Sequence, residues 1–191
     1  TLPLRLVITN TGATASSSSL KQTCSTVISE GGYEQSSVDH VARRTTLLGT
    51  IGTTFLPLVS IRLKSTALGA VVLPNRLQVL PTTSQNYEVA LVKNATLTGA
   101  SWSTVPTDSN VEFDVAATAI TGGTIVQTDY VSSSGSGGVG NLVAPTGYNW
   151  DLQIGASLAG VSDIYTIQIR TVSGATTGDA VASLSFYDLT Q

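Results

Sequence analysis

The run Phe55-Leu56-Pro57-Leu58-Val59-Ser60-Ile61-Arg62-Leu63-Lys64 decides the fold. In an extended chain, Phe55, Pro57, Val59, Ile61 and Leu63 fall on one side. Leu56, Leu58, Ser60, Arg62 and Lys64 fall on the other. Alternation with a period of two marks a strand that turns one face to a core. Pro57 has no N–H to give a ladder, so it belongs near the strand's start or on a sheet edge.

The same reading extends in both directions. Residues 2–9, 20–28, 70–73, 76–80, 86–93, 110–116, 118–120, 124–131, 148–154, 164–172 and 180–187 read as strands. Pro74 and Pro81 bound the 70–73 and 76–80 pair, and Trp102 lies mid-way in the connection 94–109. Glu30-Gly31-Gly32 and Thr121-Gly122-Gly123 supply glycines for positive φ at tight strand exits. Residues 33–54 are irregular and read as an arm, with a short strand near 45–48. No segment has the pattern of an amphipathic helix. About ten strands with frequent turn signals predict an all-β fold, a single jelly-roll-like antiparallel β-sandwich over residues 1–191.

Composition narrows the function. Only 11% of the 191 residues are charged, less than half the usual ~25%, and Ser and Thr carry the polarity instead. A weakly charged surface tolerates close association with other proteins. Net charge is −3 with nine scattered basic residues. Nucleic acid needs clustered positive charge, so it is not an expected partner. No apolar run is long enough to span a bilayer. Cys24 is the only cysteine and reads as a small buried hydrophobe rather than a reactive thiol.

Chemistry-bearing residues are scarce. His40 is the only histidine; it would have to serve any Ser-His-Asp triad, and no nucleophile elbow accompanies it. It reads as an exposed or interface residue. One His and one Cys do not make a zinc site. Glu112 and Asp114 share a strand face, roughly 6–7 Å apart, near the short end of the inverting-glycosidase range. Val111, Phe113 and Val115 form the apolar face, which puts both carboxylates on the solvent side. Asp108-Ser109-Asn110 offers oxygen donors for calcium but is also ordinary turn chemistry. Gly135-Ser136-Gly137-Gly138-Val139-Gly140 fits a dinucleotide pattern without the helix it requires. Asn94-Ala95-Thr96 is a glycosylation sequon. Trp102, Tyr148 and Trp150, with Tyr33, are the candidates for a sugar-stacking platform, but Trp102 reads first as a loop anchor on the sandwich end and Trp150, alternating with Tyr148 and Leu152, as a core or intersubunit residue. No cofactor is implied.

Three stretches resemble virion structural proteins of tailed bacteriophages, of the marine and cyanophage type. They are Leu20-Lys21-Gln22-Thr23-Cys24-Ser25-Thr26-Val27-Ile28-Ser29-Glu30-Gly31-Gly32-Tyr33, then Leu58-Val59-Ser60-Ile61-Arg62-Leu63-Lys64, then residues 94–102 together with 117–124. The resemblance implies a β-sandwich on the particle surface, commonly a homotrimer, with no catalytic residues to transfer. Its partners would be copies of itself and other virion proteins such as the major capsid protein. Capsid decoration (cement) is the leading role, and a tail-fibre or baseplate domain binding a host receptor or glycan is the alternative. Tyr33, His40, Arg43, Arg44, Leu47 and Leu48 are the expected intersubunit contacts, with residues 2–9 as a further exchange candidate.

Overall fold

A computed structural model describes residues 38–105, 108–133, 140–142, 152–174 and 177–190. Contacts divide the chain into residues 1–34 and 35–191, and every described residue belongs to the second unit. All the named elements are strands, numbered β1 to β12 in chain order, and all the pairings are antiparallel. The first sheet runs β1 (Val38–Ile51), β12 (Gly178–Asp188), β3 (Val72–Pro81), β10 (Gly140–Leu142). The second runs β6 (Ser103–Thr104), β7 (Val111–Asp114), β2 (Leu56–Leu63), β11 (Ile164–Thr171), β4 (Asn86–Lys93), β9 (Thr124–Ser132). A two-stranded ribbon, β5 (Thr96–Thr98) with β8 (Ala119–Thr121), stands apart from both.

The two large sheets close on one apolar layer. Ala42, Leu77, Val79, Ala182, Leu184 and Phe186 from the first sheet meet Val59, Ile61, Val89, Leu91, Ile167 and Ile169 from the second. Each fully buried Ile, Leu or Phe contributes about 1.5–3 kcal/mol. An exposed ion pair contributes less than about 1 kcal/mol. The layer between the sheets therefore holds the fold, and the described residues form an all-β sandwich. β12 lies between β1 and β3, and β11 between β2 and β4, so the last two strands insert between earlier ones in both sheets.

The second sheet is covered on its outer side as well. Ala90 and Val92 of β4 pack with Ala95 and Ile120, and Phe55 and Leu97 join them. The ribbon β5–β8 thus forms a partial third layer. On the same side of the sheet, Ser60, Glu88, Thr166 and Gln168 are buried, and Thr166 Oγ1 bonds Ser60 Oγ at 2.9 Å.

Three expectations are corrected. Residues 38–51 are not part of an irregular arm: they form the fourteen-residue β1 paired with β12. Register slips between Arg44 and Leu48 and again before Ile51 break its alternation, and this is why the sequence reads as irregular. Residues 70–80 do not make two strands split by Pro74. β3 runs through it, because a bulge at Ser185/Phe186 leaves Pro74 opposite Phe186 without a ladder N–H to supply. Residues 152–154 do not end a strand; Ile154 makes a single bridge to Val72. Pro57 does sit at the second residue of β2, beside a register slip against β11. The expected strands 2–9 and 20–28 lie outside the described residues.

Candidate functional site

Glu112 and Asp114 occupy the face of β7 opposite Val111 and Phe113, as alternation requires, but Asp114 does not face solvent. Segments 96–104 and 115–121 fold over it and leave it 1% exposed. Its Oδ1 accepts the N–H groups of Ser101 at 2.7 Å and Ala116 at 3.0 Å, and Oδ2 accepts that of Ala117 at 3.2 Å. Glu112 is partly buried, and its Oε2 accepts from Arg62 Nε at 3.0 Å and pairs with Nη2 at 2.9 Å. One carboxylate organises a loop and the other neutralises an arginine, so each negative charge is already committed to a fixed partner.

His40 is likewise buried, at 7% exposure, rather than exposed. It alternates with Ala42 on the core side of β1, and its ring stacks on Phe186 with centroids 5.7 Å apart. At 109–110 the side chains bond to the protein itself. Ser109 Oγ accepts the Val111 N–H at 3.1 Å, and Asn110 donates through N at 2.8 Å and Nδ2 at 3.3 Å to the buried carboxylate of Asp188. Among the described residues no group of three or more His, Cys, Asp or Glu is placed to hold a metal ion.

Trp102 lies 4.1 Å beneath the Arg62 guanidinium. Arg170 repeats the arrangement, 4.4 Å over Phe55 and 2.6 Å from Glu88. Each arginine is held between an aromatic ring and a glutamate, in a geometry worth about 0.5–1 kcal/mol at partly exposed sites. Trp102 anchors its loop through Arg62. Tyr33, Tyr148, Trp150 and Cys24 lie outside the described residues, as does the Gly135–Gly140 motif apart from the backbone of Gly140.

Among the described strands, β1 lies at one end of its sheet. Asp39, Val41 and Arg43 point away from the core, with Val41 42% exposed. Further along, Leu47 is 50% exposed and Leu48 packs partly on the core. Arg44 turns the other way and donates through Nη1 to the Val115 carbonyl. Burial lowers its pKa, and the negative charge of Asp114 partly counters this. Asp39, His40, Val41, Arg43, Thr45, Val105 and Phe113 line a groove of about 520 Å³ along the strand.

Sequence reading missed a polar latch at the ends of β4 and β11. Asp163 accepts from Asn94 Nδ2 at 2.7 Å and pairs with Lys93 Nζ at 3.0 Å. Asn94 Oδ1 in turn accepts the Ile164 N–H at 2.9 Å. Burial alone would raise the Asp163 pKa, but the bonds from Asn94 and Lys93 outweigh it and hold it below the ordinary value. Lys93 is raised by the same hydrogen bond. The amide nitrogen of the sequon asparagine is therefore already engaged. The signal in the sequence was the residue type: Asn tolerates the positive φ of 57° found at position 94 better than most residues.

No protein-family model, no curated protein and no solved structure matches this chain.

Proposed function

We propose that the chain is a non-enzymatic virion structural protein of a tailed bacteriophage, a capsid decoration subunit that acts through the area it shares with its neighbours. The strand order supports reading the sandwich as a jelly roll: eight strands arranged 1-8-3-6 against 2-7-4-5 once β5 to β8 are set aside. The observation that carries the functional reading is the use made of the candidate catalytic groups. Glu112, Asp114 and His40 are all committed to holding the fold. Exposed apolar residues lie on edge strands, Val41 and Leu47 on β1 and Ile125 and Tyr130 on β9, and also at Leu80 of β3 and at Leu158, Val161 and Val172 between strands. A surface of that kind serves contact with protein.

The test compares particles with and without the protein under heating or osmotic shock. Particles lacking it should lose resistance. Equal resistance in both would overturn the decoration reading.

A further inference from the structure

We propose that β1 is a self-pairing edge: two copies of this chain join β1 to β1 in antiparallel register about a two-fold axis at Val41. Three observations lead there. First, β1 ends its sheet, and no described strand pairs with its outer side. Such a row of backbone donors and acceptors is a template for another strand. Second, the strand is self-complementary when reversed on itself. With Val41 opposite Val41, Asp39 of each copy stands opposite Arg43 of the other, and His40 opposite Ala42. All of Asp39, Val41 and Arg43 lie on the exposed face, so the pairing places two unlike charges on either side of an apolar centre. Opposed side chains in an antiparallel pair are about 4.5–5.5 Å apart, close enough for both ion pairs to form. Arg43 makes no ion pair among the described residues, and Asp39 has Asn75 Nδ2 at 3.3 Å as its neutral partner. Third, the groove of about 520 Å³ beside the strand is floored by Val105 and Phe113. It leaves the flank of β1 open from Asp39 to Thr45, the stretch that would pair.

Native edge strands are commonly blunted by inward charges, prolines or extreme shortness. β1 has no proline and is fourteen residues long, and the register slips that also blunt edges lie beyond Arg44, outside residues 39–43. Its charges instead match a reversed copy of the same strand. An unrelated strand would meet Asp39 and Arg43 with no reason for its charges to answer them, so a second copy is the occupant. The contact is two-fold, distinct from the three-fold association that the resemblance implies, and it stands or falls apart from the virion reading.

The test is sedimentation equilibrium on the full chain, with Asp39→Arg, Arg43→Asp and the double exchange. Both residues are exposed, so the fold should tolerate each change. The unaltered chain should dimerise. Either single reversal sets like charges opposite each other twice per dimer and should weaken it about tenfold or more. The double exchange should return the dissociation constant to within about threefold. A chain that is monomeric at all concentrations would overturn the contact, as would association indifferent to single reversals or not restored by the exchange. A charge-sensitive dimer in a chain missing from purified particles would leave this contact intact and remove the virion reading. A monomer abundant on particles would do the reverse.

Discussion

Asp114 and Asp188 point their carboxylates at backbone amides, and Asp163 at an amide and an ammonium group. Hydrogen bonds to ionised groups contribute about 1.5–3 kcal/mol each, so these residues set loop geometry. Asp163 gives this a pH signature. Its folded pKa lies below the ordinary value, so as the pH falls the unfolded chain takes up the proton first. The stability it contributes is present above about pH 4, the unfolded carboxylate range, and is lost as the pH drops through the folded value. Asp163→Asn should lower the unfolding midpoint at pH 7 and flatten its decline between about pH 5 and pH 2. Thermal melts across that range check it; an unchanged acid limb would contradict the assignment.

At the scale of elements, the turn from β8 to β9 separates two roles of glycine. Gly122 and Gly123 both have positive φ, 66° and 80°. A Cβ on Gly122 would meet nothing within 4 Å. A Cβ on Gly123 would lie 2.6 Å from Val92 Cγ1 and 2.8 Å from both Ala95 N and Lys93 O. Gly122→Ala should cost about 1 kcal/mol, the backbone penalty alone. Gly123→Ala adds a clash with backbone that cannot yield, for a total of about 3 kcal/mol or more. Urea denaturation of the two variants checks the difference, and equal losses would contradict it.

That turn was legible in the sequence because Thr121-Gly122-Gly123 interrupts clean alternation. β2 and β4 were legible for a related reason: their apolar periods run unbroken across five or more residues. β1 was not, since two register slips and Arg43-Arg44 disrupt its period although its pairing with β12 is long. Nor was the burial of Asp114 and His40. Alternation assigns a residue to a face, but it does not say that a ribbon such as β5–β8 will cover the outer face. Nor does it say that a polar ring will turn to the core side.

At the scale of the whole molecule, the sandwich has its apolar layer between two sheets and a partial cover over one of them. Exposed apolar residues remain at Val41 and Leu47 of β1 and at Ile125 and Tyr130 of β9, each at one end of its sheet, and at Leu158, Val161 and Val172 between strands. A polypeptide built this way offers neighbours strand edges and weakly charged surface. Quantitative mass spectrometry of purified phage particles tests directly the proposal that those neighbours are virion proteins. The chain should be present at a fixed, high copy number alongside the major capsid protein. Its absence from particles, with the protein found only in the infected-cell lysate, would contradict the account.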